Sequence, residues 1–259
     1  MKKLFVILLV AVMVSAVATT SALAAIEVEG DAYVGFYDKY LWRGFDLSGS
    51  VGVVQGGMDL THKGFTLSYW TNIQADDDDM DKTDPDDDFK SGEATETDIT
   101  LDYSFDLGEM VSASVGNIFY NLEGLDDTNE AYVGVTLNTI LEPTLTAYYD
   151  WDECTEDGLF FTAAVGHSLD ITDALSLSLG ALVSYNQESD YAIGYTDGNG
   201  DWQDYSDWHN YELSVGADYA INDNLTVGAS FLYSSPISTE AKWAIDSETV
   251  SGVALTFAF

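Results

Sequence analysis

The sequence predicts an all-β fold, a transmembrane up-and-down antiparallel β-barrel of about 12 strands. Apolar and polar residues alternate with period two along most of the chain. Short and long connections alternate between the periodic segments, as they do when strands run up and down a closed wall. The face opposite the apolar one is mostly Gly, Ser, Thr and Asp, and it carries most of the acids within the strands. A water-soluble barrel would seldom need so many glycines on its outer surface, whereas a lumen lined by small polar side chains uses them readily.

The first element is a leader. Lys2 and Lys3 precede the apolar run Leu4 to Val14, and Ala22-Leu23-Ala24 makes a small-x-small cleavage site. Residues 1–25 are therefore expected to be a Sec-type signal peptide and residues 26–259 the barrel. Losing Lys2 and Lys3 leaves 6 basic residues against 45 Asp and Glu, a net charge near −39. Such a field repels phosphate backbones and excludes a nucleic-acid partner, while it concentrates cations. The aromatic content of 13% and hydrophobic content of 46% oppose disorder. Cys154 is the one cysteine, so no intrachain disulfide forms. No run of 18 apolar residues follows the leader, which leaves strands to do any membrane crossing.

Strands are expected at 30–42, 51–60, 65–74, 94–105, 109–120, 130–138, 144–152, 159–168, 174–186, 209–219, 225–234 and 249–259. In "ETDITLDYSF", Thr97, Ile99, Leu101, Tyr103 and Phe105 share one face, and Glu96, Asp98, Thr100, Asp102 and Ser104 the other. "LSLSLGALVSY" and "LTVGASFLY" repeat the pattern, and Val253, Leu255, Phe257 and Phe259 close it. Short connections fall at 61–64, 106–109, 138–143, 169–174 and 221–224; the long ones, notably 75–93 and 187–208, are acidic. Tyr40, Trp42, Tyr69, Tyr103, Tyr149, Trp151, Tyr219 and Tyr233 near strand ends suit aromatic girdles at the two membrane interfaces.

The stretch "YDKYLWRGFDLSGSVGVVQGGMDLTHKGFTLSYWTNIQ" resembles the opening of the TorF-type family of outer-membrane porins. Tyr40, Arg43, Gly44, Gln55, Gly56, Gly57, Asp59, Gly64, Phe65 and Trp70 carry the likeness. Asp38-Lys39 departs from the usual Ser-Asp, Trp42 replaces a Phe, and Asn72 follows Trp70 one residue early. The resemblance implies a channel-forming barrel and leaves the solute open. Phe259 is similar to the closing-strand signal read during outer-membrane assembly. The expected partners are outer-membrane lipid and lipopolysaccharide, the barrel-assembly machinery, and small solutes or cations.

If the first strand runs to Trp42 with Ala32, Val34, Phe36, Tyr40 and Trp42 toward lipid, Lys39 and Arg43 face the lumen. A basic side chain toward lipid near midplane would cost ~2–4 kcal/mol. Equal parity turns Asp59, Glu96, Asp98, Asp102, Asp150, Asp152, Glu212 and Asp218 inward. Such a lumen is an acidic wall facing two basic residues, suited to cation-preferring passive permeation. The competing reading is a barrel whose charges neutralise one another in a packed interior, serving a structural or adhesive role through acidic loops.

No cofactor is expected. Asp76, Asp77, Asp78 and Asp79 open the run "DDDDMDKTDPDDD", which suits loose capture of Ca²⁺ or Mg²⁺ or a solvated loop held open by repulsion. "DGNGDWQD" starts like a calcium loop, but Trp202 stands where the glycine belongs and Trp208 where the bidentate Glu belongs. An enzyme is not expected: neither Gly-x-Ser-x-Gly nor His-Glu-x-x-His occurs. His167 and Ser168 are adjacent, so a strand sends them to opposite faces.

Overall fold

A computed structural model describes residues 28–77, 89–154, 158–189 and 193–259; the expected leader, Asp78 and Asp79 lie outside them. Twelve strands form the closed wall: β1 (Glu29–Tyr37), β4 (Val53–His62), β5 (Phe65–Gln74), β6 (Ala94–Asp106), β7 (Val111–Leu122), β8 (Thr128–Leu137), β9 (Thr144–Asp150), β10 (Leu159–Thr172), β11 (Leu175–Gln187), β14 (Ser206–Asn222), β15 (Leu225–Pro236) and β16 (Glu248–Ala258). Each pairs antiparallel with its neighbour in sequence order, and β16 returns to β1 to close the ring. Among the described residues, two small hairpins, β2 (Leu41–Trp42) with β3 (Phe45–Asp46) and β12 (Tyr195–Thr196) with β13 (Trp202–Gln203), and one helical turn, α1 (Ala241–Ala244), lie in the long connections. The chain is a transmembrane-type up-and-down antiparallel barrel.

Alternation sets the two faces. Val34 is 51% exposed and Leu145 64%, and Leu101, Leu179, Val253 and Phe257 stand outward with them, an apolar surface of the kind that the hydrocarbon of a membrane covers favourably. Outward rings gather toward the ends. Phe65 and Tyr103 meet with centroids 4.4 Å apart at the short-turn end, and Tyr211 and Tyr233 at 6.0 Å at the other. Short turns need little chain: Lys63 and Gly64 link β4 to β5 with φ of +50° and +84°, the positive pair of a type I′ hairpin.

Inward, several glycines receive tyrosine rings. A Cβ on Gly116 would strike the ring of Tyr132, one on Gly57 the ring of Tyr33, and one on Gly252 the ring of Tyr37. Glycine there lets a ring lie flat along the wall, covering backbone that would otherwise be open to the lumen.

Two expectations are corrected. The first strand ends at Tyr37, not at residue 42, so Tyr40 and Trp42 belong to no lipid-facing girdle. Residues 38–52 leave the wall and fold into the barrel, where Tyr40 is buried and Trp42 packs against an internal cluster of Phe160, Ile193, Tyr205 and Ala241. The alternation of Tyr40 and Trp42 continues the strand's parity, but positive φ at Arg43 and Gly44 turns the backbone back on itself.

Candidate functional site

The inserted segment is built by local chemistry. Leu41 pairs with Asp46 and Trp42 with Phe45, leaving Arg43-Gly44 as a two-residue turn with φ of +47° and +87°. Positive φ at both positions is what a type I′ turn requires, and Gly44 meets it without strain. Arg43 does not, and left-handed backbone costs a non-glycine residue about 1–2 kcal/mol. Asp46 then organises the return: its Oδ1 accepts from the Ser48 N–H (3.0 Å) and hydroxyl (2.9 Å), and its Oδ2 from the Ser50 hydroxyl (2.7 Å). Burial raises the Asp46 pKa, but hydrogen bonds from Ser50 and Ser48 outweigh it and hold the carboxyl below its ordinary value. The buried Ser48 hydroxyl accepts from the Tyr40 N–H (2.9 Å), and Gln74 donates to the Ser48 carbonyl (2.9 Å).

The insert is fastened to opposite sides of the wall. Arg43 donates through Nη1 and Nη2 to the two Glu130 oxygens on β8, at 2.9 and 2.8 Å. Their side chains are only 10% and 5% exposed, so this is a buried, bidentate pair. The guanidinium also lies 4.2 Å from the Phe160 centroid, 4.4 Å from Trp42 and 4.9 Å from Tyr148. Those contacts offset both the turn strain and the desolvation of the charge. Tyr120 adds a 2.9 Å hydrogen bond to Glu130. Four strands further round the ring, a ring nitrogen of His209 on β14 lies 2.6 Å from the Arg43 carbonyl and the other meets the Tyr205 hydroxyl; as the carbonyl can only accept, the first nitrogen is the donor there. Lys39 binds Glu248 on β16 at 2.6 Å and lies 3.5 Å from Asp46.

Register places Asp59, Glu96, Asp98, Asp102, Asp150, Glu212 and Asp218 on the inward face. Asp59 sits opposite Asp31 on β1, and Asp102 accepts the Tyr132 hydroxyl at 2.6 Å. Lys39 and Arg43 also face the interior, but from the insert and not from a strand. Asp152 is the exception: β9 ends at Asp150, and Asp152 accepts 3.0 Å from Asn129, whose strand position is outward. Asp150 accepts instead from Thr128 (2.8 Å) and from the N–H groups of Asp152 and Glu153, which draws the chain out of the strand.

The interior is lopsided. β1 and β4 to β9 contribute acids and large rings: Tyr33, Trp70, Asp98, Tyr120, Glu130, Tyr148. β10, β11, β14, β15 and β16 contribute small residues at mid-height, Gly166, Ser178, Gly180, Ser214, Gly216, Ser230 and Gly252, with the acids Glu212 and Asp218 of β14 on either side of that band. A cavity of about 280 Å³ lies between that smooth wall and Tyr37, Lys39, Tyr40 and Leu41. A second, about 590 Å³, lies at the long-loop end against Trp42, Arg43 and Phe45.

Asp76 and Asp77 serve their own loop: Asp76 accepts the Asp77 N–H (2.9 Å), and Asp77 the Ser91 N–H (2.8 Å). Among the described residues no group of three or more His, Cys, Asp or Glu side chains is arranged to hold a metal. In the calcium-like stretch, Asp197 Oδ1 accepts from the N–H groups of Asn199 (2.8 Å) and Asp201 (3.1 Å), closing the β12–β13 hairpin. Phe259 exchanges backbone hydrogen bonds with Gly30, at 2.9 and 3.1 Å, sealing the β16–β1 seam.

A family model described as a bacterial protein of unknown function (Gcw_chp) matches residues 21–252. The chain belongs to the Gcw_chp family. Among solved structures, this Gcw_chp barrel is similar to the NanC porin, with a TM-score of 0.53 at 11% identity over 88% of this chain and 98% of that one. The COG4313 outer membrane channel from Pseudomonas putida F1 gives 0.52 at 13% identity over 93% and 98%, and the KdgM porin 0.50 at 12% over 89% and 99%. At these identities the likeness is one of fold. No curated protein matches the sequence.

Glu130, His209 and Glu248, which fasten the insert, were not singled out in the sequence as its partners. Glu130 lies 87 positions from Arg43, and only the closed ring brings them together. The available signal was the placing of Lys39 and Arg43 together in a chain otherwise poor in cations.

Proposed function

We propose that this chain is an outer-membrane porin of the TorF type, exported by its leader, that passes small solutes or ions with a preference for cations. One observation carries the reading: an apolar exterior encloses an interior whose carboxylates outnumber its basic groups, while Lys39 and Arg43 are already ion-paired. Fixed negative charge at close quarters lowers the free energy of a cation more than it would in open water. The insert at 38–52 is the constriction. Solutes pass between it and the small-residue wall of β10, β11 and β14 to β16, with acids across the lumen imposing a transverse field. Phe259 serves as the assembly signal.

The test is conductance of the folded barrel in a planar bilayer under a salt gradient. Cation-selective current supports the proposal; absence of current from folded protein removes it. A second reading, a closed structural or adhesive barrel, is favoured by the dense fastening of the insert. Deleting residues 75–93 separates the two: loss of cell-surface binding with unchanged conductance favours adhesion, and altered conductance with unchanged binding favours the pore.

A further inference from the structure

The cavity of about 590 Å³ at the long-loop end is of a size that suits small-molecule sites. Four separate elements bring rings to it: Trp42 and Phe45 from the β2–β3 hairpin, Tyr120 from β7, Tyr195 and Trp202 from the β12–β13 hairpin, and Trp243 from α1. Trp202 is 52% exposed and Trp243 61%, yet neither lies on the outward face of a wall strand, where lipid would cover it. Tyr195 and Trp243 stand 5.1 Å apart between centroids at 62°, forming an open aromatic corner. The charged side chains of the same cavity are Arg43, Glu96, Glu130 and Asp150, three carboxylates to one base. Arg43 at the cavity's edge shows the arrangement in use, a flat cation held against the lining Trp42 and the neighbouring Phe160 with the Glu130 carboxylate at its edge.

We propose that this vestibule binds organic cations with an apolar body, of the aryl- or alkylammonium class, the rings taking the body and the cation's charge while the net carboxylate excess excludes anions. Cation–π attraction and ring contact supply affinity, and the field of the acidic chain supplies the sign. The inference deepens the cation-channel reading by naming a solute class at its mouth, but binding is measurable without current.

The test uses the full mature barrel in detergent micelles, with benzyltrimethylammonium as the probe and saturation-transfer NMR as the readout. Benzenesulfonate keeps the ring with the opposite charge, and glucose is the neutral sugar. Saturable binding of benzyltrimethylammonium in preference to both is expected. Trp243→Ala and Trp202→Ala, on different elements, should each weaken it about two- to fivefold. Trp208→Ala, on the outward face of β14, should leave it unchanged. Heat-modified gel mobility confirms that each variant is folded. Equal or better binding of benzenesulfonate or glucose overturns the inference, as does indifference of folded Trp243→Ala and Trp202→Ala proteins. Binding without conductance in bilayers supports the vestibule and removes the channel; conductance without saturable binding keeps the channel and removes the vestibule.

Discussion

Arg43 concentrates the chemistry of the insert in one side chain. It occupies left-handed backbone, carries a desolvated charge, and is tolerated because Glu130 and three rings surround it. Breaking a buried ion pair by removing one partner typically costs about 3–5 kcal/mol, since the survivor stays buried and unpaired. Arg43→Ala and Glu130→Gln are therefore each expected to loosen the insert while the β-wall stays closed. Single-channel conductance should rise and protease cleavage within residues 38–52 should appear. Unchanged conductance and protection would contradict this role. The glycine–tyrosine contacts allow a second prediction at the same scale. Gly116→Ala overpacks the Tyr132 ring and should destabilise the barrel by about 1–3 kcal/mol, read as a lower heat-modification temperature. Adding Tyr132→Ala should recover part of the loss, and a double variant worse than the single one would sink the explanation.

At the scale of elements, the wall was legible in the sequence and the insert was not. Period-two alternation is imposed by the strand itself, and a lipid outside with water inside enforces it on both faces, so segments such as 96–105 and 175–185 read without ambiguity. Tyr40 and Trp42 happen to continue the same phase beyond the strand. Their departure from the wall rests on a two-residue turn and on contacts with β8, β14 and β16 that are remote in sequence. Parity thus pointed Lys39 and Arg43 inward although the strand that justified it stops at Tyr37. Asp152 failed for a related reason: the Asp150 carboxylate captures the N–H groups that follow it and ends the strand.

The insert should also respond to pH. The folded Asp46 pKa is depressed, so its contribution is fully present above the ordinary Asp value of about 3.9 and is lost as pH falls through the lower folded value. Protease cleavage of 38–52 should therefore increase at strongly acid pH in the wild type. In Asp46→Asn it should be raised already at neutral pH and change little on acidification through that window. Identical pH profiles for the two proteins would dismiss Asp46 as the organiser of the turn.

For the whole molecule, the governing asymmetry is between an apolar exterior and an interior in which acids exceed bases. The barrel fold is shared with porins at about one-tenth sequence identity, which is expected when the constraint is a pattern of faces and not particular residues. Two cations fasten a hairpin inside, and in the proposed channel the carboxylates left over set the potential along the lumen. The most direct measurement is the reversal potential of the folded wild-type barrel across a KCl gradient. A reversal potential of the sign set by K⁺ diffusion, growing as ionic strength is lowered, is the predicted result; anion-selective current, or a bilayer that stays silent with folded protein inserted, would contradict it.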